Sequence, residues 1–86
     1  MKIDKYRSKV KPSFCLVVPT GADLAAFTGE VADGIKVLQP LVKIKTNVAL
    51  ESFCRGDLFD HHQQQLAELG ASVEETKVFF SELSNG

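Results

Sequence analysis

Residues 72–83 read Ser-Val-Glu-Glu-Thr-Lys-Val-Phe-Phe-Ser-Glu-Leu, and the secondary structure of this segment decides the fold of the chain. As a helix, the segment begins with a Ser-Val-Glu-Glu capping box, and its aromatic residues share one apolar stripe with Leu83. As a strand, it turns Val78 and Phe80 to one face of a sheet. The capping box favours the helix, whereas the layout of the preceding elements favours the strand.

The segment before this one is predicted to be a helix over residues 57–69. Asp57 follows Gly56 and belongs to the residue types that cap helix N-termini. Gly70 supplies a C-terminal stop for the same helix. Four residues at helical spacing share its inward face: Leu58, His62, Leu66 and Leu69.

Two strands joined by a tight turn are predicted between residues 41 and 54. Val42 and Ile44 alternate with Lys43 and Lys45, and this alternation is typical of a half-exposed strand. A turn at residues 46–47 would lead into a returning strand over residues 48–54.

The N-terminal third is predicted to contain a lead-in, a strand and a helix. Residues 1–12 are polar and strongly basic, so we expect a lead-in ahead of a single α+β domain over residues 13–86. Residues 13–18 form a nearly continuous apolar run, which indicates a buried strand. Thr20 is the predicted cap of a helix over residues 21–33, and Gly34 is its predicted end.

With a strand at residues 73–81, the predicted order of elements is βαββαβ. This order resembles the split βαβ plan of ferredoxin-like domains, and the resemblance is one of element order alone. We therefore expect a small single α+β domain with ferredoxin-like order. The alternative is an α+β domain that ends in a helical hairpin.

The charge of the chain is unevenly distributed along its length. The 86 residues carry a net charge of −1, yet residues 1–12 carry +4 and residues 57–86 carry −5. The basic N-terminal arm consists of Lys2, Lys5, Arg7, Lys9 and Lys11. Such an arm can meet the acidic C-terminal third of a second copy or an anionic partner.

Composition and cysteine content favour a small cytoplasmic protein. No apolar run approaches the roughly 18 residues of a membrane-spanning helix, so no membrane partner is expected. The first apolar run is also too short for the core of a signal peptide. Cys15 and Cys54 do not make a disulfide framework, and each lies in an apolar setting typical of a buried thiol.

The densest group of polar, chemically capable residues lies between positions 54 and 62. The candidate binding residues are Cys54, Arg55, Asp57, His61 and His62. On a helix that starts at Asp57, this carboxylate and His61 are four residues apart and can meet on one face. Two ligands are too few for a tight metal site, so no metal or cofactor is assigned. A helix cap with a core-edge histidine, a pH-sensitive contact and a weak metal site remain the alternatives.

The sequence contains no recognisable set of catalytic residues, and we lean against an enzyme. We expect a protein-interaction or regulatory module that acts as a homodimer, with itself or another protein as partner. One alternative is a regulatory domain that binds a small ligand or a metal. A further alternative is a nucleic-acid-associated regulator that uses the basic arm. Nucleic acid is disfavoured at residues 65–76, because Glu74 and Glu75 would face the phosphates.

Overall fold

A four-stranded antiparallel sheet forms the frame of the computed structural model, which describes residues 1–75. The strands lie in the order β3-β1-β2-β4. The elements along the chain are β1 (Lys2–Ser8), β2 (Phe14–Pro19), α1 (Gly29–Leu38), β3 (Leu41–Ala49), α2 (Leu50–Phe53), α3 (Gly56–Leu69) and β4 (Ser72–Glu75), with a 3₁₀ turn at Leu24–Ala26. The predicted small α+β domain is confirmed.

The predicted βαββαβ order is wrong, because the chain begins with a strand that the sequence analysis took for a lead-in. β1 lies in the middle of the sheet and pairs with β2 on one side and β3 on the other. Ile3, Asp4 and Ser8 of this strand are buried. Two of these three are polar, so the strand lacks the apolar signature that marks β2.

β3 replaces the predicted hairpin between residues 41 and 54. The strand runs without a turn from Leu41 to Ala49, and residues 50–53 form a short helix. Asn47 does adopt a left-handed conformation, with φ of 54°. It adopts this conformation beside an irregularity in the β1–β3 register, and its backbone N–H donates to the Asp4 carboxylate. Asn47 therefore forms part of a β-bulge within one strand, and not of a turn between two strands.

α1 begins and ends later than predicted. Asp23 caps the 3₁₀ turn by accepting a hydrogen bond from the Ala25 N–H, and the α-helix starts only at Gly29. Thr20 caps no helix, because its hydroxyl donates to Asp4. The helix passes through Gly34 because Ile35 and Leu38 beyond it are buried against the sheet.

α3 follows its predicted bounds except at its N-terminus, but on its predicted inward face only His62 and Leu66 are buried, whereas Leu58 and Leu69 are exposed. The helix ends at Leu69, and Gly70 adopts the left-handed conformation with φ of 76°. Arg55 holds the N-cap position, so the predicted capping role of Asp57 is wrong. Asp57 lies in the first turn, where a carboxylate still favours the positive end of the helix dipole.

The segment that decides the fold is a strand where the structure describes it. Ser72–Glu75 pairs with β2, with Val73 opposite Leu16 and Glu75 opposite Phe14. The helix that would start from the capping box, and with it the helical-hairpin alternative, is wrong at these four residues. The predictions for residues 76–83 lie outside the described residues.

Two apolar clusters pack on the two faces of the sheet. Ile3, Val17, Leu50, Cys54 and Leu66 form the cluster under α2 and α3. Leu16, Val18, Ile35 and Ala71 form the cluster under α1. Over residues 1–75, no helix is long and apolar enough to cross a membrane.

Candidate functional site

Cys54 lies at the end of α2 and is buried. Its thiol donates to the Leu50 carbonyl oxygen over 3.5 Å. Burial raises the pKa of the Cys54 thiol above its usual value, and the nearby Glu74 carboxylate raises it further. The neutral thiol is a weak nucleophile and a poor metal ligand, so this environment argues against a reactive cysteine.

The remaining predicted site residues lie in different environments, three of them exposed and one buried. Arg55 and Asp57 are exposed, and so is His61, whose Nε2 lies 3.1 Å from the Val73 carbonyl oxygen. His62 is fully buried. The structure therefore does not bring the five residues together around one point. In the part of the chain that the structure describes, no three His, Cys, Asp or Glu residues could hold a metal ion together.

His62 belongs to a buried polar network that the sequence analysis missed. Its Nδ1 lies 2.7 Å from the Ser72 hydroxyl, which in turn lies 3.4 Å from the Gln65 Oε1. On the other side of the ring, His62 Nε2 lies 3.5 Å from Glu74 Oε2. The network ties α3 to β4 through side chains that alternate between the two elements.

Glu74 connects this network to β1. Its carboxylate forms an ion pair with Lys5, and both side chains are largely buried. The hydrogen bond from His62 lowers the pKa of Glu74 to about 2, with Lys5 acting in the same direction and against the effect of burial. Lys5 is therefore a member of the folded core and not part of a solvated arm.

Ser72, His62 and Glu74 form a Ser-His-Glu trio, but their burial excludes hydrolytic chemistry. The Ser72 side chain is about 1% exposed and the His62 ring is not exposed at all. A nucleophilic serine must reach a substrate carbonyl. The Ser72 hydroxyl is buried and already bonded to His62 and Gln65, so it cannot reach a substrate. The trio therefore acts as a structural connection between α3 and β4.

Asp4 is a second buried acidic group with a structural role. Its carboxylate accepts hydrogen bonds from the Asn47 N–H at 2.8 Å, the Thr20 hydroxyl at 3.0 Å and the Gly21 N–H at 3.2 Å. These bonds, the one from Asn47 above all, lower the pKa of Asp4 despite its burial. Lys43 lies 3.5 Å away and adds an ion pair. Asp4 thus joins three separate segments at one end of β1.

The predicted basic arm is divided by the fold. Lys5 is enclosed, while Lys2, Arg7, Lys9 and Lys11 are exposed. Arg7 lies on β1, and Lys9 and Lys11 lie in the connection to β2. The exposed members therefore have fixed positions beside β3, which carries Lys43 and Lys45.

β3 presents an exposed edge in the part of the chain that the structure describes. It is an edge strand, and residues 42–47 are exposed along it. Val42 is 41% exposed and Ile44 is 37% exposed, although both are apolar. Alternation with lysine correctly predicted the strand. The alternation could not show that Val42 and Ile44 stay exposed in the described part of the chain, because their exposure depends on where the helices pack.

Comparison with known proteins gives no relative: no family model, curated protein or solved structure matches the chain.

Proposed function

We propose that this protein is a protein-interaction module that binds a partner by adding a strand to the outer edge of β3. The observation that supports this function is the edge position of a nine-residue strand with exposed apolar side chains. An edge strand offers its outward N–H and C=O groups to a strand of another chain. Backbone bonds would supply affinity, and the side chains of β3 would supply selectivity.

Charged residues on β3 restrict the choice of partner. Lysine on an edge strand discourages indiscriminate pairing. If two copies paired antiparallel through β3, Lys43 and Lys45 of both copies would lie near the symmetry axis, and like charges placed opposite each other destabilise a strand pair. These charges favour a different protein over the predicted homodimer, and self-association becomes an outcome of the experiment.

Peptide selection followed by residue-level mapping tests the proposal. A display library of random short peptides is selected against the protein, and the enriched peptides are titrated into isotope-labelled protein. We expect amide signals of Leu41–Ala49 to shift and their hydrogen exchange to slow. Peptides that perturb only α1 or α3, or a failure to enrich any peptide, would count against a β3 binding edge.

Sedimentation velocity of the protein alone completes the test. A monomer at micromolar concentration agrees with a heterologous partner. A dimer with slow exchange across Leu41–Ala49 would show that a second copy fills this edge.

A further inference from the structure

One face of the β1–β3 half of the sheet lies open beside α3. Val42 lies opposite Arg7 in the register, and Lys45 lies opposite Lys5, so these four side chains share a face. α3 contacts β2 and β4, at the other half of the sheet. Within residues 1–75, the part of this face around Val42 and Ile44 is exposed.

A shallow groove of about 330 Å³ occupies the uncovered area. Val42 and Ile44 provide its apolar surface, and Arg7 and Lys9 lie at its rim. We call it the β3 groove, and it is lined by Arg7, Ser8, Lys9, Pro12, Val42 and Ile44. A groove of this kind can take apolar side chains from a strand that runs along β3.

The cations around the β3 groove have no partner carboxylate in the part of the chain that the structure describes. Arg7, Lys9 and Lys45 are exposed and form no ion pair within residues 1–75. The two neighbouring lysines differ, because Lys5 pairs with Glu74 and Lys43 pairs with Asp4. The positive charge at the groove is thus available to a ligand from outside these residues.

We infer that the segment bound at β3 is an acidic strand that carries apolar side chains and carboxylates on the face turned towards the β3 groove. This inference rests on the proposed function and specifies its partner. Side chains of an extended segment alternate between faces, so apolar residues at every second position would contact Val42 and Ile44. Carboxylates two positions before and after these apolar residues would lie on the same face, where Arg7, Lys9 and Lys45 are exposed.

The surface chemistry favours a protein strand over a nucleic acid. Single-stranded nucleic acids bind through aromatic side chains on which their bases stack. Among residues 1–75, no aromatic residue lines the β3 groove. Tyr6, on β1, is half-buried and has the Lys43 ammonium 5.5 Å from the centre of its ring. The basic rim surrounds an apolar surface and not a stacking platform.

Three synthetic peptides of equal length test separately how the charge of the bound strand and the arrangement of its side chains affect its affinity. The first carries glutamate, valine, valine and glutamate at every second position with threonine between them, so that these four side chains share one face. The second replaces both glutamates by lysine, and the third keeps the composition of the first but moves both glutamates to the opposite face. We expect the first peptide to bind at least about ten-fold more tightly than either of the others. Fluorescence anisotropy gives the affinity, and amide shifts confirm that binding occurs at Leu41–Ala49.

Charge reversal in the protein provides the matched variant. Lys9→Glu combined with Lys45→Glu should lower the affinity for the acidic peptide by at least about ten-fold and raise the affinity for the basic peptide. Lys36→Glu combined with Arg55→Glu makes the same change in net charge on α1 and before α3, and should leave both affinities nearly unchanged. For the apolar surface, Ile44→Thr should weaken binding, whereas Val37→Thr on α1 should not.

The outcomes distinguish this inference from the proposed function. If acidic and basic peptides bind equally well at Leu41–Ala49, the binding edge stands and the charge preference is wrong. If no peptide binds there, the proposed function fails as well. If single-stranded RNA binds this face more tightly than the acidic peptide, the inferred partner class is wrong.

Discussion

The Nδ1 atom of His62 lies 2.7 Å from the Oγ of Ser72, and both side chains are buried. The first residue belongs to α3 and the second begins β4, on the far side of the turn at Gly70. Buried polar groups that satisfy each other fix relative positions more strictly than apolar contacts do. This contact therefore sets how β4 lies against the helix.

Removal of the Ser72 hydroxyl should destabilise the fold. Ser72→Ala leaves the buried His62 Nδ1 without its partner, which costs about 1–3 kcal/mol. Urea denaturation measures the change in the free energy of unfolding. Ser52→Ala is the control, because the Ser52 hydroxyl also forms a hydrogen bond, to the Ala49 carbonyl oxygen, but is exposed, and the change there should stay below about 1 kcal/mol. Equal effects of the two substitutions would contradict a structural role for the buried network.

The stability of the protein should fall in acid because of Glu74. The pKa of this carboxyl is about 2 in the fold, against an ordinary value of 4.5. Its contribution is complete above pH 4.5 and is lost as the pH falls towards 2, because the unfolded chain takes up the proton first. The lowered pKa of Asp4 acts in the same direction.

A series of urea titrations between pH 7 and pH 2 tests the role of Glu74. Glu74→Gln should be less stable at neutral pH, since Lys5 loses its ion pair, and should show a shallower loss of stability on acidification. Glu30→Gln removes an exposed carboxylate from the first turn of α1 and serves as the control. An unchanged acid slope in Glu74→Gln would contradict the assignment.

Two glycines should respond oppositely to alanine. Gly70 has φ of 76°, and a Cβ there would lie 3.4 Å from the Phe27 ring, so Gly70→Ala should destabilise by about 1 kcal/mol or more. Gly34 is helical, and a Cβ there would meet no atom within 4 Å. Gly34→Ala should stabilise by about 0.4–1 kcal/mol. Thermal unfolding followed by circular dichroism measures both, and the same sign for both would refute the explanation.

The Cys54 thiol should resist alkylation in the folded protein. It is buried and its pKa is raised, so little thiolate forms and reagents have poor access. Iodoacetamide labelling at pH 8, followed by mass spectrometry of the peptides, measures the rate. Labelling should become fast when urea unfolds the chain. Native labelling of Cys54 at the rate of a free thiol would contradict this explanation.

Elements with a strong local signal could be predicted from the sequence: β2 from its continuous apolar run, and α3 from its helical spacing and the glycine that follows it. Gly70 marked the end of α3 because a left-handed position favours glycine. β1 could not be predicted, since the Asp4 carboxylate accepts hydrogen bonds from residues at least 16 positions away, and the buried Ser8 hydroxyl donates to Leu38, 30 positions away. Such bonds leave no local pattern.

The site prediction failed for a similar reason. Residues 54–62 were grouped by closeness in sequence, yet His61 and His62 face different surroundings because adjacent helical positions point about 100° apart. Ser72, Glu74 and Lys5 approach His62 only when β4 and β1 have joined the sheet. The β3 groove likewise depends on α3 packing at the other half of the sheet.

The central position of the β1–β2 pair has a consequence for the order of folding. These two strands are joined by a short connection, so they can associate early at a small cost in loop closure. β3 and β4 must then add to opposite sides of the pair. In the folded sheet, Ala49 of β3 lies opposite Lys2, and Glu75 of β4 lies opposite Phe14. In stopped-flow experiments, we expect Val17→Ala to slow folding, and Val73→Ala mainly to accelerate unfolding.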